Sequence, residues 1–193
     1  MKRAAFCMAL FVLLAACSKS SQAPALFKVR FDTSKGPFLV DVHRDWAPNG
    51  VDRFYELVQS GYYDEARFFR VVPNFVVQWG INKDPAVSRK WSQNYIPDDP
   101  VKETNRRGYI TYAKGGPDTR TTQLFINLAD NVSLDSTGFA PFGKVSDGMD
   151  VVQNLYSGYG QTPQQNLIQL QGNDYLQSQF PQLDYIKTAK VVQ

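Results

Sequence analysis

The chain of 193 residues contains one histidine and two cysteines. So little imidazole argues against zinc sites built on several histidines and, less decisively, against Ser-His-Asp hydrolysis. Two cysteines cannot staple a fold of this length, which excludes a disulfide scaffold. Charge of one sign is also missing: 21 Lys and Arg face 18 Asp and Glu, so no basic face for nucleic acid stands out. No uncharged hydrophobic run reaches the roughly 20 residues that a membrane-spanning helix needs. What remains is ordinary globular composition, 43% hydrophobic and 13% aromatic. The length fits one domain with a real core.

The first residues stand apart from the rest. Lys2 and Arg3 precede thirteen apolar residues, Ala4 to Ala16, without a charge. That is the length and flanking of a secretory leader. The run ends Leu14-Ala15-Ala16-Cys17, which resembles the bacterial lipobox, where small residues fit a signal peptidase and the Cys thiol accepts diacylglycerol. The resemblance implies cleavage before Cys17 and a lipid on that thiol. A plain secretory signal cut at Ala16 is the competing reading. Losing Lys2 and Arg3 from the 21 basic residues leaves 19 against 18 acidic, so most of the excess positive charge belongs to the leader. The expected organisation is a leader at 1–16, a lipidated Cys and tether at 17–25, and a folded domain at 26–193. Ser18 after Cys17 resembles the sorting signal for the outer membrane, so the expected location is a bacterial cell envelope, lipid-anchored and facing the periplasm.

From Leu26 the pattern alternates. Phe27, Val29 and Phe31 fall on one face and Lys28, Arg30 and Asp32 on the other, as in a half-buried strand. Thr33-Ser34-Lys35-Gly36 supplies a turn, and Phe38, Val40 and Val42 resume the alternation, predicting a hairpin. His43 lies on the outward parity and reads as a strand-end residue. Asp45 as a cap, Pro48 near the first turn, then Val51, Phe54, Leu57 and Val58 predict a helix ended by Gly61. Further strands are predicted over 68–72, 75–80, 108–113, 123–128 and 184–192, with a short helix over 147–155. Between Gly158 and Pro181 the chain is polar and Gln-rich, with Leu167, Leu170, Leu176 and Phe180 spaced for an extra C-terminal helix; a linker is the alternative. Many strands with few helices make the fold mainly β, a barrel or sandwich.

The stretch from Phe68 to Gly80 embeds Arg70 and Gln78 among eight Phe, Val and Trp residues. A buried Arg needs partners or a ligand, although an Arg whose head group reaches solvent is the simpler account. Other blocks follow: Tyr112-Ala113-Lys114-Gly115-Gly116, then Thr122-Gln123-Leu124-Phe125-Ile126-Asn127, Leu134, and Phe139-Ala140-Pro141-Phe142-Gly143-Lys144-Val145. With the helix from Ala47 to Asp64 and the segment from Gly143 to Val152, they resemble the cyclophilin family of peptidyl-prolyl isomerases in block order, over nearly the whole chain after Leu26.

That resemblance implies a closed eight-stranded antiparallel β-barrel capped by two helices, with the groove on its outer face. It implies catalytic roles for Arg70 and Gln78, and substrate-binding roles for Phe75, Val76, Ala113, Lys114, Gly115, Gln123, Phe125, Leu134 and Phe139. Partners would be proline-containing polypeptide clients, with a membrane reached through the lipid on Cys17 and no nucleic acid. No cofactor or metal is implied. The chain departs from the family at Ser133, where Trp is common, at Lys114, where Asn is frequent, and at Phe139 in a loop one residue longer. Strict alternation would set Phe75 opposite Arg70, so the match requires a parity break at Pro73-Asn74. Two further readings stay open: a non-catalytic proline-peptide-binding module, and a structural envelope lipoprotein that docks through the Gln-rich insertion.

Cys17→Ala should abolish lipid attachment and release the protein from membranes, because the anchor depends on that thiol. Labelling with a fatty-acid analogue checks it; label retained on the Cys17→Ala protein would refute the lipobox reading.

Overall fold

The structure is a computed structural model that describes residues 22–192. The expected leader at 1–16, Cys17 and the tether as far as Ser21 lie outside the described residues. The residues just before the first strand pack against the domain: Ala23 is buried and its N–H donates to Asp52 Oδ1 at 3.0 Å.

The alternating segments form a hairpin of β1 (Leu26–Thr33) and β2 (Gly36–His43), with Phe31 opposite Phe38. Their inward side chains are all buried. The Phe31 and Phe38 rings stack with centroids 4.8 Å apart. Helix α1 (Pro48–Gln59) buries Val51, Phe54, Leu57 and Val58, a stripe at the helical period. Phe54 meets the Phe142 ring at 5.0 Å, and burying such a ring contributes about 1.5–3 kcal/mol. The helix begins after Ala47, so Asp45 is not its cap. Instead the Asp99 carboxylate, from a distant loop, accepts the N–H groups of Asn49 and Gly50 at 3.0 and 2.9 Å. Pro48 fixes the first turn and brings no N–H of its own, leaving those two donors for a partner elsewhere in the chain.

The remaining strands are β3 (Arg70–Val72), β4 (Val76–Trp79), β5 (Tyr109–Tyr112), β6 (Leu124–Asn127), β7 (Pro141–Asp147) and β8 (Ile186–Val192). The eight form one antiparallel sheet in the order β3-β4-β6-β5-β7-β2-β1-β8. Strand β7 is absent from the segments read by residue pattern alone. Helix α3 (Met149–Gln153) is shorter than expected, and α2 (Pro85–Trp91) was not anticipated, although Asp84 caps it by accepting the Ala86 N–H at 2.7 Å.

The mainly β architecture stands, but the expected closed barrel does not: the sheet curls into a half-barrel, with no ladder between β3 and β8 among the described residues. The chain ahead of β3 meets the start of β8 only briefly, through an antiparallel bridge of Arg67 with Tyr185 and backbone hydrogen bonds from Glu65 to Ile186, Ile186 to Ala66 and Phe68 to Asp184. The physical reason lies at β3, which has three residues. Its Val71 N–H donates to the Gly160 carbonyl at 2.9 Å, so the insertion occupies the edge that a closing strand would need.

The insertion itself is not the one helix expected. It holds α4 (Gln165–Gln171) and α5 (Asn173–Gln179), separated at Gly172. Ile168, Tyr175 and Leu176 bury against Phe69, Ile81 and Leu183 in a second small core outside the main one. No helix among the described residues is long and apolar enough to cross a membrane.

Gly172 has φ 60° and ψ −140°, and a Cβ there would lie 2.0 Å from the Lys83 carbonyl oxygen. Gly172→Ala should therefore destabilise the protein by about 1–3 kcal/mol through backbone strain alone. A fall in the urea midpoint checks it; an unchanged midpoint would show that the α4–α5 junction can relax.

Candidate active site

Strands β3 and β4 are joined by a three-residue turn. Asn74 takes the left-handed conformation, with φ 60°, and the Phe75 N–H returns to the Val72 carbonyl at 3.0 Å. Asn tolerates that region better than most residues. The turn resets the alternation, as the family match required, and pairs Arg70 directly with Gln78 across the hairpin.

Three polar side chains then form a line. Arg70 Nη1 donates to Gln78 Oε1 at 3.0 Å, and Gln78 Nε2 donates to Gln123 Oε1 at 2.9 Å. Arg70 is half-buried, and burial lowers its pKa. No carboxylate pairs with it among the described residues. The guanidinium stays charged regardless, so its charge is available to whatever enters the site. Its Cζ sits 5.5 Å from the centre of the Phe75 ring.

These residues line a cavity of about 380 Å³. Its apolar side chains are Phe75, Val76, Phe125, Leu134 and Phe139, and the Phe125 and Phe139 rings meet edge to face at 5.7 Å. Ala113, Lys114, Gly115 and Gln123 line it too. All eleven residues expected at the site thus border one cavity. Ser133 is exposed and is not among its lining residues.

Lys114 takes a different part from a groove side chain reaching for substrate. Its side chain is 8% exposed and its Nζ sits 2.7 Å from Asp98 Oδ2. Asp98 also approaches the Arg120 guanidinium at 3.1 Å, and Arg120 reaches Asp99 at 3.0 Å. Burial alone would raise the Asp98 carboxyl pKa. The hydrogen bonds from Lys114 and the Asp118 N–H, with the charges of Lys114 and Arg120, outweigh burial and hold it below the usual carboxylate range. Lys114 is therefore a fastener for the loop.

A second set of contacts holds the aromatic wall. Asn131 Nδ2 donates to the Phe75 carbonyl at 2.9 Å and to Asn127 Oδ1 at 2.8 Å. Asn105 Nδ2 donates to the Phe139 carbonyl at 2.8 Å, and its Oδ1 accepts from Asn127 and Thr111. Asn105 and Asn127 are fully buried. Buried amides need partners: Asn105 finds one in the Phe139 backbone, and Asn127 links it to Asn131, which holds the Phe75 backbone.

Sequence reasoning missed Thr119, Thr121 and Gln165 as lining residues, together with the Asp98 and Asn105 supports. Asn127 inside the apolar run Leu124 to Leu128 was one available signal, since a polar residue in a buried strand needs a purpose. For Asp98 and Gln165 there was none, because tertiary placement alone brings them near the site.

The sequence matches the family described as cyclophilin type peptidyl-prolyl cis-trans isomerase/CLD over residues 28–172. The chain belongs to that family. It is 35% identical over 136 residues to a peptidyl-prolyl cis-trans isomerase of Arabidopsis thaliana, covering 67% of this chain and 80% of the relative. A crystal structure of a Cryptosporidium parvum cyclophilin type peptidyl-prolyl cis-trans isomerase superposes with TM-score 0.66 at 23% identity, covering 87% of this chain and 98% of that one. The same protein, solved in the presence of the dipeptide Ala-Pro, gives TM-score 0.65 at 23% identity and covers 86% and 99%.

Asp98→Asn should cost about 1.5–3 kcal/mol near pH 7, because it leaves the enclosed Lys114 ammonium without its charged acceptor. A carboxyl with a depressed folded pKa stabilises above its unfolded value and loses that contribution as pH falls through the folded one. The stability gap between the two proteins should therefore shrink below about pH 3.9 and close at lower pH. Urea denaturation across pH reads it; a gap independent of pH would remove the ion pair from the account.

Proposed function

We propose that this chain accelerates rotation about X-Pro bonds, with the proline ring held among Phe75, Val76, Phe125, Leu134 and Phe139 and the Arg70 guanidinium directed at the prolyl nitrogen. The observation that carries the reading is a charged, carboxylate-free Arg70, oriented by Gln78, bordering an aromatic cavity of about 380 Å³.

An amide resists rotation because resonance gives its C–N bond double-bond character, with a barrier of about 18–20 kcal/mol. At the twisted transition state the nitrogen lone pair leaves resonance and accepts a hydrogen bond that the planar amide accepts poorly. A guanidinium placed there binds the transition state more strongly than either planar isomer, which is what lowers a barrier. One charged hydrogen bond contributes about 1.5–3 kcal/mol, whereas a rate gain of ~10⁴ needs about 5.5 kcal/mol. The rest falls to desolvation of the ring in the pocket, and to the main chain of Ala113 to Gly115 and the amides of Gln78 and Gln123 holding the flanking residues while the acyl part turns. No bond is broken in such a reaction. It needs no nucleophile or general base, which accords with the scarcity of His and Cys.

The clients in this reading are proline-containing polypeptides of a bacterial cell envelope, whose folding the protein assists. Lipid on Cys17 would hold the domain at the outer membrane, facing the periplasm. The lipobox-like Leu14 to Cys17 and the residue after it support that placement. The resemblance of Cys17 and its neighbours to a lipoprotein leader also supports the division into leader, tether and domain.

Arg70→Ala should lower kcat/KM on a short X-Pro peptide about 10- to 200-fold with little change in folding. Arg70→Lys should recover little, because a compact ammonium lacks the planar fork that Gln78 orients. Unchanged turnover in a folded Arg70→Ala protein would exclude the mechanism. Binding of the peptide without turnover in the unmodified protein would favour a proline-peptide-binding module instead.

A further inference from the structure

The catalytic cavity has one wall that does not come from the sheet or its loops. Gln165, in the first turn of α4, lines it beside the sheet's own Gln123 and Thr121. One helical turn further on, Gln169 lines a smaller cavity of about 40 Å³, and Thr121 and Gln123 border that one as well. The two hollows therefore share a floor, and the two glutamines stand above it on one face of α4, about 6 Å apart along the helix axis. Neither side chain hydrogen-bonds within the protein among the described residues, and both are exposed.

This face is held firmly in place. Ile168, beside the two glutamines on the helix, is buried in the second core with Phe69 and Ile81. The Gly160 carbonyl ahead of α4 accepts the Val71 N–H, adjacent to Arg70, at 2.9 Å. Behind it, the Asn173 N–H donates to the Lys83 carbonyl at 3.0 Å.

We propose that α4 is a substrate-reading wall of the groove, in which Gln165 and Gln169 hydrogen-bond the main chain of an extended client segment flanking the X-Pro bond. The proposal rests on the isomerase reading given above. A glutamine amide carries one acceptor and two donors, which complement the C=O and N–H of a peptide unit. Alternate residues of an extended chain repeat at about 6.7 Å, close to the spacing of the two amides. The wall bears no ionised group, and the Lys114 charge is taken by Asp98. The occupant is therefore uncharged polypeptide backbone rather than an acidic or basic side chain. Gln165 and Gln169 would then act as specificity residues that favour long, extended clients over short X-Pro fragments.

The test uses the full chain and two peptides with one X-Pro centre. The first has four residues; the second has ten, extended on both sides with Ser and Asn. The unmodified protein should show a lower KM for the longer peptide. In a Gln165→Ala, Gln169→Ala double variant, KM for the longer peptide should rise about five- to thirtyfold with kcat nearly constant, since a neutral hydrogen bond is worth roughly two- to tenfold. The ratio of kcat/KM between the two peptides should fall accordingly. An unchanged ratio overturns the proposal, whether because nothing changes or because both peptides lose activity equally. Failure of the unmodified protein to turn over either peptide overturns the isomerase reading, and this proposal with it.

Discussion

The site depends on keeping a guanidinium charged, oriented and half-buried without a carboxylate beside it. A carboxylate would hold Arg70 more tightly, yet it would also take the charge that the proposed mechanism directs at the rotating amide nitrogen. The fold uses a neutral relay instead. Gln78 accepts from Arg70 and passes its own amide to Gln123, so the guanidinium is aimed by dipoles and keeps its full charge. That relay demands a fixed register: Arg70 opposite Gln78 in the β3–β4 hairpin, and Gln78 opposite Phe125 between β4 and β6. A slip of one residue in either pair would turn the relay to the other face of the sheet.

The register is protected from two sides. On the aromatic side, Asn131 and Asn105 hold the carbonyls of Phe75 and Phe139, so the turn after β3 and the loop before β7 cannot drift independently. On the other side, Asp98 gathers Lys114 and Arg120, and Arg120 reaches the Asp99 carboxylate that also caps α1. Main-chain placement at Ala113 to Gly115 is thereby coupled to the helix that closes the main core. The two supports differ in kind. The asparagine set is built mainly on amides, with the Asp135 carboxylate accepting the Asn105 N–H and Nδ2 at 2.9 and 2.7 Å, whereas the Asp98 set pairs a carboxylate with cations and weakens only when acid reaches its lowered carboxyl pKa.

Much of this is legible in the sequence, for identifiable reasons. The first hairpin was readable because one face is buried and the other solvated, so polarity alternates from Phe27 to Val42. All eleven expected site residues border the cavity because the family match preserves the order of their blocks, and the break at Asn74 follows from reconciling Arg70 with Phe75. Other features left no local trace. Strand β7 contains Gly143 and Lys144 among few β-branched residues and forms through its neighbours β2 and β5. The cap of α1 comes from Asp99 rather than nearby Asp45, since only the folded loop brings that carboxylate to Asn49 and Gly50. Helix α2 was locally signalled by Asp84-Pro85, a cap followed by a first-turn proline.

The departure from a closed barrel and the extra groove wall have a common origin in the insertion. Strand β3 is too short to offer β8 a full ladder, and its free Val71 N–H is taken by Gly160. That bond brings the insertion against the strand carrying Arg70. From there the chain needs somewhere to place α4 and α5, and the apolar patch of Phe69, Ile81 and Leu183 provides it. Gly172 then turns the chain tightly against the Lys83 carbonyl, which a side chain there would not permit. Once Ile168 is buried in that patch, helical geometry leaves Gln165 and Gln169 on the adjoining face, above Thr121 and Gln123. Covering the exposed edge of β3 and setting α4 beside the groove are thus two consequences of one packing event.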